Sequence, residues 1–158
     1  MKRISILCAL AVMALLALTA CSDDENPVKP PDFGTVSGRV TFTGTWPATG
    51  DVQVSIWTSW PPAGPPAKAS DVIAKGTTTF DYKLEGLNKG EYKALTVGWR
   101  DAANPSGAKV LGLYWANSDS SGVSNAPPFY ATPTTINVND AKIDWPNANI
   151  KADLSIVK

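Results

Sequence analysis

The sequence predicts an all-β chain: one antiparallel β-sandwich of seven to eight strands, behind a removable leader and an extended tether. Three observations predict it. From residue 33 onward apolar residues recur with a period of two, not 3.6. The alternating runs are short, and clusters of Gly, Pro, Asn and Ser separate them. No segment carries a convincing apolar helical stripe, and short strands without βαβ spacing pack as two antiparallel layers.

The strands follow in order. Val36, Gly38, Val40 and Phe42 alternate with Ser37, Arg39 and Thr41. Val52, Val54 and Ile56 alternate with Gln53 and Ser55, and Phe80, Tyr82 and Leu84 with Asp81 and Lys83. Each pattern describes a half-buried strand with one face in and one face out. The runs 93–99 and 110–115 are apolar on more faces and read as central strands. A short strand over 134–138 follows. In the last strand Ile150, Ala152, Leu154 and Ile156 alternate with Lys151, Asp153 and Ser155. Turns are expected at Thr49-Gly50-Asp51, Pro61–Pro66, Asn88-Lys89-Gly90, Asn104–Gly107, Ser120-Ser121-Gly122 and Pro127-Pro128.

The N-terminus has a different grammar. Met1-Lys2-Arg3 is basic, and Ile4 to Ala20 is apolar except for Ser5 and Thr19. That is a secretory signal, a little short for a spanning helix, which needs about 20 apolar residues. The signal ends in Leu18-Thr19-Ala20-Cys21. This tetrapeptide resembles the lipobox of bacterial lipoproteins. The resemblance implies cleavage before Cys21, a diacylglyceryl group on its thiol and acylation of the new amino group. Two or three buried chains hold a protein at a bilayer where one does not, at about 0.8 kcal/mol per CH₂.

The expected organisation is a signal peptide over 1–20, an acidic proline-rich tether over 21–33 and the sandwich over 34–158. Charge and proline keep the tether extended, and a dozen such residues span roughly 35–40 Å. Its first residues, Ser22, Asp23, Asp24 and Glu25, resemble the acidic export signal of surface lipoproteins in Bacteroidetes-type bacteria. The resemblance implies the outer membrane, with surface display as a further step. Cleavage leaves 12 basic residues against 14 acidic ones, which gives nucleic acid no footprint. With Cys8 removed and Cys21 lipidated, no thiol remains for a disulfide.

Within the sandwich, Gly34-Thr-Val-Ser-Gly-Arg-Val-Thr-Phe42, Phe80-Asp-Tyr-Lys-Leu84 and Gly86-Leu87-Asn88-Lys89-Gly90-Glu91-Tyr92 stand in sequence, before Leu95-Thr-Val97. They resemble the carboxypeptidase-regulatory-like, transthyretin-like domain of secreted proteins. The resemblance covers about half of the mature chain and implies the fold without a shared catalytic residue. Physically, Leu87 plugs an end of the sandwich, Gly90 permits the turn and Tyr92 starts the next buried strand.

The chain contains no histidine, which removes Ser-His-Asp sites, Cys-His sites and His-ligated zinc. Ser106-Gly-Ala-Lys109 fits Ser-x-x-Lys, but in a turn entering a strand and without Lys-Thr-Gly. Asn117, Asp119 and Ser121 alternate before Gly122 like half a calcium loop, yet Pro128 stands where the bidentate Glu belongs. The bland alternative there is a polar turn. Glu85 and Glu91 flank one turn and read as solvated charge. No cofactor is implied.

Six tryptophans are many for a chain of this length. Trp57 shares phase with Gln53 and Ser55 on the polar face of its strand. Trp60 shares phase with Val52, Val54 and Ile56 and leads into the Pro61–Pro66 loop. Both are ligand-binding candidates, although packing beneath a loop explains Trp57 equally simply. The sequence thus favours a non-catalytic binding or scaffold module at the bacterial envelope, with a glycan or an envelope protein as partner. The alternatives are a carbohydrate-binding module using Trp57 and Trp60, and a small carboxylate-dependent enzyme.

Overall fold

The computed structural model describes residues 31–158. The leader, Cys21 and the acidic run Ser22–Glu25 lie outside the described residues. The described chain is all-β, in ten strand segments and one short 3-10 turn.

The first sheet is built on β1 (Phe33–Thr43). β4 (Thr79–Asn88) pairs antiparallel with it, placing Leu84 opposite Val36 and Phe80 opposite Val40. Along the other edge of β1 run two segments, both parallel to it: β9 (Asp144–Trp145) and β10 (Ile150–Asp153). They are one strand interrupted at 146–149. Pro146 has no N–H for the ladder, and Asn147 turns the chain with φ 61°. The pairing is then restored by the Ala148 N–H donating to Ser37 O at 2.9 Å and the Arg39 N–H donating to Asn149 Oδ1 at 2.9 Å.

The second sheet has the order β3 (Lys68–Ala69), β2 (Asp51–Trp57), β6 (Ala94–Asp101), β7 (Asn104–Leu113). All of its pairings are antiparallel. A two-stranded piece, β5 (Gly90–Tyr92) with β8 (Ile136–Val138), completes the set.

The inward faces are those the period of two predicts. Val36, Val40, Leu84, Ile150 and Ala152 from the β1 sheet meet Val52, Val54, Ile56, Leu95, Val97 and Leu111 from the β6 sheet in one buried cluster. Each large side chain so buried contributes about 1.5–3 kcal/mol. Leu87 and Tyr92 are buried as their motif requires. Gly90 has φ +152°, and the Tyr92 hydroxyl donates to Asn88 O at 2.9 Å, tying the turn to the strand that follows. Tyr82, opposite Gly38 on β1, donates its buried hydroxyl over that glycine to Ala148 O. Burial pushes that phenol well above the ordinary tyrosine range.

The structure departs from the expected sandwich in four respects. The sheets are not wholly antiparallel, because the C-terminal strand returns beside the first strand in the same direction. Alternation reports which face is buried, not which neighbour a strand takes. The segment count exceeds eight because two- and three-residue segments are too short to show a period. The stretch 104–107 is strand, not turn: the reversal falls two residues earlier, at 102–103, where Asp101 Oδ1 accepts the Ala103 N–H at 2.9 Å. Pro105 is tolerated because β7 is an edge strand. The final alternating run also ends early, in a 3-10 turn over Leu154–Ile156 capped by Asp153.

Candidate functional site

The outward face of the β6 sheet carries a hollow lined by charged, polar and aromatic side chains. Along β2, Asp51, Gln53, Ser55 and Trp57 point out in alternation while Val52, Val54 and Ile56 point in. From β6 come Thr96, Gly98 and Arg100, and from β7 Ala108 and Val110. The register sets Asp51 opposite Arg100, Gln53 opposite Gly98, and Gly98 opposite Val110. Pro62 and Pro66 of the proline-rich loop form one wall, and Tyr130 forms part of another. The hollow, open to solvent, has a volume of about 380 Å³.

The loops sit where they do for local reasons. The Ala67 N–H donates to Ile56 O, the Ser70 N–H to Val54 O and the Ile73 N–H to Val52 O, each at 2.9 Å. The proline-rich loop is therefore sewn back along the edge of β2. Ser70 Oγ accepts the Val54 N–H at 3.0 Å, and Gln53 Nε2 donates to Ser70 O at 2.7 Å. Tyr130 arrives on a separate loop. There the Ser124 N–H donates to Phe129 O at 2.9 Å and the Ala131 N–H to Gly122 O at 2.8 Å.

Trp57 is half-buried, and its indole N–H donates to Thr96 Oγ1 on the neighbouring strand at 3.0 Å. The ring thus leans across from β2 to β6 with its polar handle used, which leaves its apolar face to line the hollow. Trp60 does not share this hollow. It lines a shallower cleft with Thr58, Ser59, Lys93 and Pro133, and it packs edge-on against Tyr130, ring centres 5.3 Å apart at 78°. Tyr130 lines the hollow with Trp57 and also packs against Trp60, but the two tryptophans do not line one hollow.

The other sequence candidates are occupied in different ways. Asn117 Oδ1 accepts the Asp119 N–H at 2.9 Å, and Ser121 Oγ is engaged with Val123, both turn-forming bonds. Among the described residues no three of His, Cys, Asp and Glu come together. Glu85 and Glu91 pair with Lys83 and Lys93 on the surface. Ser106 Oγ donates to Asn104 Oδ1 at 3.0 Å, away from Lys109. Arg39 and Asp81 form an exposed pair on the β1 sheet. Arg39 donates hydrogen bonds that hold the Asp81 carboxyl below its ordinary range. Asp101, one residue past Arg100, is lowered by the Ala103 N–H first and the Thr49 hydroxyl second.

Of the two tryptophans singled out from the sequence, Trp57 lines this hollow and Trp60 does not; Gln53 and Ser55 had marked the polar face that Trp57 shares. Sequence reasoning missed Asp51, Arg100, Gly98 and Tyr130. A signal existed for three of them. Asp51 extends the Gln53-Ser55-Trp57 alternation, and Thr96, Gly98 and Arg100 alternate on β6 beneath the apolar reading of that strand. Tyr130 carried none, since only the path of its loop brings it to the wall.

The chain matches no family model, no curated protein and no solved structure.

Proposed function

We propose that the chain is an envelope lipoprotein, anchored by lipid on Cys21, whose sandwich is a non-catalytic binding module of the carboxypeptidase-regulatory-like kind. The outer face of the β6 sheet is its binding face. The observation that carries this reading is the hollow itself. An outward sheet face normally meets water as a flat polar surface. Here two separate loops wall it, Trp57 and Trp99 line it, and Asp51, Ser55, Arg100 and Lys109 are among its lining residues.

Two features support a binder over a hydrolase. The chain has no imidazole to move protons. Asp51 is also the lone carboxylate among the residues lining the hollow, whereas glycoside hydrolysis uses two. A scaffold that docks an envelope protein is the second reading, favoured by two consecutive exposed aromatics, Phe129 and Tyr130, the latter lining the hollow.

The anchor rests on the Leu18–Cys21 motif, and surface display on Ser22, Asp23, Asp24 and Glu25. Replacing the three acidic residues by alanine tests display. Protease shaving of intact cells then spares the variant and cuts the native protein; equal cutting contradicts the acidic signal. Binding is tested with a photoreactive residue in place of Ala108. Crosslinks to an envelope glycan or protein, absent from the same probe at Thr79, are the expected result. Identical labelling at both positions contradicts this binding face.

A further inference from the structure

Resting on that reading, we propose that the hollow takes a saccharide. One pyranose ring lies against Trp57 above Gly98, and its hydroxyls meet Asp51 and Arg100.

Gly98 is the first reason. Glycine weakens a strand interior, so its presence in central β6 needs a cause. Conformation is not the cause, since Gly98 is not among the glycines with positive φ. Packing is not the cause either. A Cβ there would meet only Lys109 O, at an ordinary 3.7 Å, whereas Cβ atoms at Gly38 and Gly112 would strike backbone oxygens at 2.5 and 2.3 Å. The register shift beside Gly98 places its extra residue, Leu111, on β7. What the missing side chain does provide is space, between Gln53 and Val110, in the floor of the hollow.

The walls specify the chemistry. The π face of Trp57 is electron-rich and attracts the polarised C–H bonds that one face of a pyranose presents. Asp51 and Arg100 face out as direct cross-strand partners, so their Cβ atoms stand about 5 Å apart. Among the described residues neither carries an ion pair, which leaves an acceptor and a donor fork aimed at one volume. Neighbouring sugar hydroxyls both donate and accept and satisfy the two together. A purely anionic ligand would use Arg100 and Lys109 and leave the Asp51 carboxylate opposed. A proline-rich peptide would use the rings and leave Asp51 without a donor. The volume of 380 Å³ lies toward the small end of ligand sites, which run from about 300 to 1,000 Å³.

The test is isothermal titration of the full-length lipidated chain, in a detergent without a sugar headgroup, with maltohexaose, cellohexaose, xylohexaose and chitohexaose. A decaproline peptide is titrated in parallel. Gly98→Val fills the floor, where a Cβ meets only Lys109 O at 3.7 Å, and its thermal melt is recorded beside each titration. We expect saturable binding of at least one hexasaccharide, weakened tenfold or more in Gly98→Val, with a melting temperature no lower than the native one. Equal binding by the variant overturns the site. Binding of decaproline alone, lost in Gly98→Val, overturns the saccharide and leaves the binding module standing. No binding of any probe also overturns the saccharide, and the Ala108 crosslinking then decides separately whether the face binds anything.

Discussion

Replacing Gly38 and Gly98 by alanine, one at a time, moves stability in opposite directions. Both glycines sit inside long strands, and alanine in a strand interior is worth roughly 0.5–1 kcal/mol over glycine. At Gly98 that gain survives, because the nearest atom to a new Cβ is 3.7 Å away. At Gly38 the Cβ would meet Ala148 O, C and N at 2.5, 2.6 and 3.0 Å. Those atoms cannot step aside cheaply. The Ala148 N–H is bonded to Ser37 O, and its carbonyl accepts from Tyr82. Overpacking of this kind costs about 1–3 kcal/mol and outweighs the gain. For the described 128 residues, 1 kcal/mol corresponds to about 4 °C in Tm. Differential scanning calorimetry should therefore find Gly98→Ala melting about 2–4 °C higher, and Gly38→Ala lower by up to about 10 °C. A Gly98→Ala variant that melts well below the native chain refutes the reasoning. It would mean that the fold, not the hollow, requires that glycine.

Four further outcomes follow from the same structure. Leu84→Ala opens a cavity between the sheets and should lower stability by about 2–5 kcal/mol in urea titration, with the slope unchanged. Trp57→Phe keeps an aromatic face and loses the bond to Thr96, so stability should fall by about 0.5–1.5 kcal/mol, measured the same way. Tyr82 has a pKa raised by burial above its ordinary 10.0, so its contribution is complete below pH 10.0. Above that pH the unfolded chain ionises first, and stability falls. Alkaline melts of Tyr82→Phe should decline less steeply than those of the native chain. Cys21→Ala should leave the membrane fraction and lose the acyl mass seen by mass spectrometry in the native chain.

The period of two carried most of the fold. It assigned Val36, Val40, Val52, Val54, Ile56 and Leu84 to the interior because a pleated strand has only two faces. It could not report that the C-terminal strand runs parallel to β1, because direction and neighbour are set by long-range pairing. The turn at 102–103 was hidden for a different reason. Asn104-Pro105-Ser106-Gly107 has stronger turn chemistry, yet an edge strand tolerates all four residues. The candidate site was half legible. Trp57 was singled out by its phase with Gln53 and Ser55, while Trp60, singled out with it, lines a different cleft. Arg100 and Gly98 were masked by the apolar character of β6. Tyr130 lies 73 positions from Trp57 and reaches the site through a loop that no local pattern predicts.

The most direct test of the binding face is a chemical-shift map of the ¹⁵N-labelled chain titrated with a hydrolysate of its own cell-envelope polysaccharide and protein. The account predicts saturable shifts at 51–57, 96–100 and 108–110, with Tyr130 moving alongside them. Shifts gathered instead around Arg39 and Asp81, or around Asn117–Ser121, would contradict it, as would a spectrum that does not change.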